Sequence, residues 1–551
     1  MIERFAAWLR RVSGERDHDR GVAAERHELA VLRRDAADPA FSREQRRLAT
    51  SSQQSLVLGE VLREGSAGEE FRVEARDLLS AHASVTGASG AGKTFLVLLM
   101  LLELLRSGLR GVVLLDMKGE VSDLLLRSFL PAWIGGVGQV ERDAVLRDLV
   151  VLDPFAPDAL PPLNVLRRDP QVAIEVQAFD LASSFERAVG AEMGIRQDTI
   201  LDWNLRLAVD QGLSFVGLRR MMEEPFLLEA LVARTQDRDI KRYFLTRYAS
   251  EPQTSKLSLL ARLDRFLALP STRLSLSAPG CVDFDRMLSG GISIINLGGA
   301  PAGCEDVAKF WATILLTKII RAIFRRDPSG KAPPALLVAD EWQEALTRPM
   351  AEQFERVLTL ARSRNVFCWL VNQQLGQVQK ASPSLREILV GNTAIQVLFR
   401  ASPEDARAMR HLLPVGGREA RAAPLPWERA TGGPFLSAAE ELEARVSEVA
   451  QMPERVAYFW DRRKPWRAVR FRTATLAQPD LRALPRDLVD RVVCGSVAIP
   501  VVDLETAARA EADALDALAR LGGAAAPPAV AGGPAKPARR RKRNPKLPNL
   551  G

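Results

Sequence analysis

The chain has 551 residues, 47% of them hydrophobic and 26% charged. That is the texture of a folded globular protein, and it excludes a disordered, collagen-like or disulfide-stapled chain. The net charge of +8 is unevenly spread. From Gly523 to Gly551 there is no acid, while Lys536, Arg539, Arg540, Arg541, Lys542, Arg543 and Lys546 supply seven positive charges. Such a tail attracts nucleic acid or anionic lipid, or simply keeps the chain soluble. Cys281, Cys304, Cys368 and Cys494 are scattered and form no C-x-x-C pair. They suggest a reducing compartment and no sequence-local zinc site. Only four histidines occur, which argues against a His-rich metalloenzyme.

Residues 1–54 are rich in Arg, Glu and Ala and read as an N-terminal helical segment. Their apolar stretch is too short for a signal peptide. Leu56–Leu62 and Phe71–Val73 flank a glycine-containing turn and predict a hairpin. Ser84–Thr86 is a short strand leading into GASGAGKT, and an apolar helix follows from Lys93 to Ser107. Val112–Leu115 ends on Asp116 and Val150–Leu152 ends on Asp153, both as buried strands. From Asp169 to Ala278 apolar residues recur at three- and four-residue spacing, which predicts an all-helical insertion. Strands return at Ile292–Leu297, Ala335–Ala339, Phe367–Val371 and Ala394–Phe399.

The alternation predicts an α/β domain with a mostly parallel sheet, formed by residues 55–168 and 279–478 around the insertion at 169–278. A polar helical segment at 479–521 and a disordered basic tail at 522–551 complete the layout. The most apolar run, Phe95–Leu105, contains Glu103 and falls well short of the ~20 residues that a membrane span needs. The expectation is a chain with no span of its own.

Gly87, Ala88, Ser89, Gly90, Ala91, Gly92, Lys93 and Thr94 fit the pattern G-x-x-x-x-G-K-[ST] without a mismatch. Glycines let the loop turn its N–H groups onto a diphosphate, and the helix start adds its positive dipole end. Lys93 is expected on the β- and γ-phosphates of ATP, and the Thr94 hydroxyl on Mg²⁺. The second half of such a site is an acid at the end of a buried strand. Asp340 ends the apolar run ALLVA and is the candidate for Mg²⁺, with Glu341 placed to polarise water. Asp116 also ends an apolar strand and is the rival for the metal. Gln373, after the strand at 367–371, can sense the γ-phosphate or position water, and Arg362 or Arg364 could reach a neighbouring subunit's site.

Several stretches together resemble one family: HASVTGASGAGKT (82–94), LLDMKGEVSDLLLRSF (114–129) and VVLDPFAPDALPPLNVL (150–166) come first. ISIINLGGAP (292–301), LLVADEWQ (336–343), ARSRNVFCWLVNQQLGQ (361–377) and GNTAIQVLFRASPEDAR (391–407) follow. They resemble the coupling-protein ATPases of conjugation and type IV secretion, the TraD/TraG-like branch of the FtsK/HerA ring translocases. The resemblance spans about residues 55–410. It implies a P-loop, RecA-like fold, ATP hydrolysis with Mg²⁺, a ring of identical copies, and DNA as cargo. In that family the inserted all-alpha domain faces the ring axis, and relaxase or secretion-channel proteins are partners. The family's usual N-terminal transmembrane helices are not seen. The chain is therefore expected in the cytoplasm, reaching the inner membrane through partners. Two other readings stay open: an ATPase that moves or recruits a protein, and a nucleotide-dependent scaffold with little turnover.

Overall fold

The computed structural model describes residues 39–50, 55–62, 68–108, 111–189, 194–346, 348–415 and 436–525. Thirteen strands occur among them. They are β1 (Ser55–Val61), β2 (Glu70–Glu74), β3 (Ala83–Thr86), β4 (Val112–Asp116), β5 (Leu149–Leu152), β6 (Ala159–Leu160), β7 (Ile292–Asn296), β8 (Ala335–Asp340), β9 (Val366–Asn372), β10 (Ile395–Leu398), β11 (Val456–Asp461), β12 (Val469–Thr473) and β13 (Ile499–Pro500). Eleven form one sheet in the order β2-β1-β12-β11-β10-β3-β9-β8-β4-β7-β5. From β10 to β5 all neighbours are parallel. Every residue of these seven strands is buried. That explains their unbroken Val, Ile and Leu runs, because both faces are covered by helices.

The register aligns the carboxyl ends. Thr86 lies opposite Asn372, Val371 opposite Asp340, and Asp340 opposite Asp116, which in turn faces Asn296. The polar residues that close five neighbouring strands therefore stand along one edge of the sheet. In an open parallel sheet this edge is where ligands bind.

Alternate side chains divide the core. Val113 and Leu115 face a cluster shared with the helix Glu305–Arg325 and the helical insertion. Val112 and Leu114 face the helix Lys93–Arg106 and the β1–β2 hairpin. The insertion's apolar side chains thus run directly into one face of the sheet. Between Asp169 and Ala278 the described residues hold helices and no strand. No helix among the described residues is long and apolar enough to cross a membrane.

Besides the two-residue strand β13, which pairs with β6 inside the segment 479–521 expected to be helical, the structure corrects the sequence reading in two places. It adds β11 and β12 after the last expected strand, and these pair antiparallel between β10 and β1. β12 (VRFRT) is short, and three of its five residues are polar, so it shows little of a buried strand's apolar run. The second correction concerns residues 522–525, assigned to the tail but helical in the helix Val501–Ala525. A Cβ on Gly522 would sit 2.2 Å from the Phe226 carbonyl oxygen, so only glycine allows this helix to close on the insertion. Asp516 pairs with Arg220 at 2.6 Å, and Leu515 of the same helix is buried. Residues 1–38 and 526–551 lie outside the described residues.

His82, just before β3, is buried and accepts a hydrogen bond at Nδ1 from the Cys368 N–H at 3.0 Å. Burial, helped by the Arg362 charge, pushes its pKa from 6.5 down to about 4. Between those pH values the unfolded chain takes up a proton that the folded chain refuses. Stability should be full above pH 6.5 and fall by roughly 3 kcal/mol as pH drops towards 4. In His82→Gln, whose amide oxygen can still accept from Cys368, this part of the fall should vanish. Chemical denaturation at several pH values checks it, and parallel profiles for the two proteins would refute the assignment.

Candidate active site

The phosphate loop hangs between the ends of β3, β9 and β10. Its Gly87 N–H bonds the Asn372 carbonyl and its Ala88 N–H the Arg400 carbonyl. Gly92 has φ of 105° and faces the Arg455 backbone, where a Cβ would sit 2.9 Å from Cα. Only glycine combines that conformation with that approach. Lys93 follows at the helix start and is 6% exposed. Its ammonium donates to the Gly87 and Ala88 carbonyls at 2.7 and 3.1 Å. Burial lowers its pKa, with Glu341 pulling the other way.

Asp340 ends β8 and Glu341 follows with φ of 52°, a left-handed conformation that costs a non-glycine residue about 1–2 kcal/mol. The Glu341 N–H bonds the Val371 carbonyl at 3.0 Å, which holds this turn. Its carboxylate is gripped on both oxygens. Gln373 Nε2 donates to Oε1 at 2.8 Å, and Gln343 donates to Oε2. Lys118 Nζ stands 3.5 Å and Lys93 Nζ 4.0 Å from Oε1. Lys93, Thr94, Glu341 and Gln373 all line one cavity of about 360 Å³ together with Lys118 and Glu454. The expected phosphate and water residues therefore meet at one place, although 280 residues separate Lys93 from Gln373.

The metal candidates also separate. Both oxygens of Asp116 are taken by backbone donors: Lys118 N and Gly119 N on Oδ1 at 3.0 and 2.8 Å, and Ser122 N on Oδ2 at 2.8 Å. Asp116 is thus a loop organiser. Asp340 has no such backbone bracket, and burial, with Asp116 and Glu341 adding to it, pushes its carboxyl up to about 8. A site that so resists a bare carboxylate suits an arriving cation. Among the described residues no cluster of three or more His, Cys, Asp or Glu forms a cage for a metal. A cation here would depend on Asp340, the Thr94 hydroxyl and phosphate oxygens, the usual shared coordination of Mg²⁺. Thr94 Oγ1 donates to the Glu120 carboxylate at 3.4 Å.

Arg362 and Arg364 lie elsewhere. They precede β9, at the opposite edge of the sheet from the phosphate loop. The seven residues of β9 put ~20 Å between the two edges. Arg364 is stacked on Phe324 at 5.1 Å and donates to the Phe324 carbonyl. Arg362 is exposed, and its charge is felt by the buried His82. Neither reaches the phosphate loop of its own chain.

Sequence reasoning assigned no role to Lys118, Gln343 or Glu454. Lys118 lies in DMKGE, a stretch whose signal was its match to a family. Gln343 and Glu454 carry no local signature.

Comparison with known proteins bears on this geometry. Residues 56–316 match the family described as the central domain of helicase HerA. The expected kinship with the FtsK/HerA class is met by that match. The HerA-like segment begins in β1 and ends within the helix Glu305–Arg325. It includes the phosphate loop and the helical insertion, and stops before Asp340. No curated protein matches the chain. Among solved structures, VirB4 of Thermoanaerobacter pseudethanolicus aligns at 13% identity, covering 78% of this chain and 98% of that one, with a TM-score of 0.48. The bacterial conjugative coupling protein TrwB, without its first 70 residues, aligns at 15% identity over 80% of this chain and 93% of its own, with a TM-score of 0.49. The cytoplasmic domain of the type VII secretion ATPase EccC of Thermomonospora curvata aligns at 13% identity, 84% of this chain and 32% of that, with a TM-score of 0.30.

Proposed function

We propose that this chain is an ATP-driven motor of the coupling-protein type, which assembles as a ring of its own copies and moves DNA. The observation that carries the reading is Glu341. A carboxylate held in a strained turn, bracketed by Gln343 and Gln373 and facing the phosphate-loop lysine, is arranged for hydrolysis and not for binding alone.

Phosphate oxygens in the cavity would draw the Lys93 ammonium off the Gly87 and Ala88 carbonyls, which it now occupies. Thr94 and Asp340 would hold Mg²⁺, which neutralises charge on the β- and γ-phosphates. Glu341 would orient a water and take its proton. The water oxygen bonds the γ-phosphorus as the bond to the bridging oxygen breaks, and that oxygen leaves on ADP with the electron pair. Gln373 keeps Glu341 Oε1 aimed and can respond to the γ-phosphate. Arg362 is free to reach the γ-phosphate of an adjacent copy, whereas Arg364 is held by Phe324.

The helix Val501–Ala525 supports DNA as the cargo. It ends against Phe226 on the helical insertion, so the basic tail is joined to the chain there and not at the sheet. In the family that the sequence resembles, this insertion faces the ring axis. Contacts from such a tail to phosphates are sequence-independent, as a motor requires.

Turnover of purified protein should rise on adding single- or double-stranded DNA. Deleting residues 526–551 should leave basal hydrolysis unchanged and keep the helix docked. The logarithmic salt slope of DNA binding should flatten by about 2–4, because each phosphate contact contributes ~0.7–0.9. Stimulation by a protein partner and not by DNA would overturn the DNA reading.

A further inference from the structure

We propose that Lys118 is a second phosphate-binding lysine, which contacts the terminal phosphate of ATP in its own chain's site. The proposal rests on the reading of the cavity as an ATP site and extends it to how ATP is told from ADP.

Its own turn and the loop after β7 hold the Lys118 backbone in place. Asp116 accepts from the Lys118 N–H and the Gly119 N–H, and its other oxygen accepts from Ser122 N–H. Gly119 has φ of 81° and lies against Asn296, where a Cβ would come within 2.9 Å of Oδ1. Asn296 is itself tied to Asp153 at 3.1 Å. In the same loop, a Cβ on Gly298 would sit 2.1 Å from the Lys118 carbonyl oxygen. The turn after β4 is therefore locked against the ends of β7 and β5, a rigidity that a solvent lysine does not need.

The side chain uses that placement. It is 39% exposed, yet its ammonium enters the cavity beside Ser89, Gly90, Lys93 and Thr94. Its ionic partner is Glu341 Oε1 at 3.5 Å, the oxygen that also stands 4.0 Å from Lys93. Two ammonium groups thus share one carboxylate oxygen. The terminal phosphate of a triphosphate offers more charge and more acceptor oxygens than that single carboxylate. It would draw Lys118 away, and Glu341 would then be free to face water. ADP lacks those oxygens and would leave the Lys118–Glu341 pair closed. Lys118 thereby links arrival of the γ-phosphate to release of the water-orienting group.

The test measures equilibrium binding of ATP and ADP, with Mg²⁺, to the full chain carrying Glu341→Gln, so that turnover does not blur the affinities. Adding Lys118→Met should weaken ATP binding about tenfold or more and leave ADP binding unchanged. Lys118→Arg should recover part of the loss. Unchanged ATP affinity in the Lys118→Met protein would overturn the proposal, since the lysine would then be only an ionic partner of Glu341. Equal weakening of ATP and ADP would also overturn it, pointing to a collapsed loop. If the Glu341→Gln chain with Lys118 intact binds neither nucleotide, the ATP reading itself falls and takes this proposal with it.

Discussion

Glu341→Gln should bind ATP at least as tightly as the unaltered chain and lose turnover by about 10²–10⁴-fold. The two effects have separate causes. Glutamine keeps the shape of the side chain, but it cannot accept the water's proton. It also removes the negative charge that stands 4.0 Å from Lys93 and 3.5 Å from Lys118, so both ammonium groups are freer to meet phosphate. Lys93→Ala should lose binding and turnover together, because Lys93 is expected on phosphate before any bond breaks. Equilibrium binding of a fluorescent ATP analogue, beside steady-state release of phosphate, separates the cases. Turnover near that of the unaltered chain in Glu341→Gln would remove this residue from the chemistry. The water would then have to be oriented by another group, and Gln373 is already within the cavity.

Arg362→Ala should lower turnover by about 10³–10⁵-fold, although its backbone lies at the far edge of the sheet. The loss is expected because, from that edge, its charge could take part in hydrolysis only at the site of an adjacent copy. Mixing Arg362→Ala chains with Glu341→Gln chains should therefore restore activity well above that of either protein alone. Some interfaces in the mixture pair an intact Glu341 with an intact Arg362. Arg364→Ala should behave differently. It removes a guanidinium stacked on Phe324, so it should act first on stability. Phosphate release from the mixed proteins, with exchange of copies verified by a fluorescent label, is the measurement. No gain on mixing, despite exchange, would show that Arg362 does not complete a neighbour's site.

The two rival acids show what tertiary structure adds. Asp116 and Asp340 read alike in sequence, each closing an apolar strand, and they end adjacent strands in the same register. They differ in what surrounds them. The turn after Asp116 folds back so that three N–H groups meet its carboxylate, whereas no such turn follows Asp340. A loop whose N–H groups meet both oxygens of its acid competes with a cation for them. The Glu341 that follows Asp340 completes the difference, because its left-handed backbone turns the side chain towards Lys93.

Much of the fold was legible locally. A phosphate loop is written in eight consecutive residues, Gly87–Thr94, because its chemistry is done by the backbone of one turn. Buried parallel strands show as apolar runs for an equally local reason, since both faces are covered. The helical texture of residues 169–278 follows from side chains recurring every three or four positions. Tertiary structure decided the rest. β12 escaped notice because it is short and carries polar residues between its apolar ones. The docking of the helix Val501–Ala525 depends on Gly522 meeting a carbonyl oxygen on Phe226, nearly 300 residues away. The places of Lys118, Gln343 and Gln373 around one carboxylate depend on the pairing of β4, β8 and β9. Short-range patterns record what a segment does by itself. Which charges share an oxygen is set by strand register and by turns that meet only once the sheet has formed.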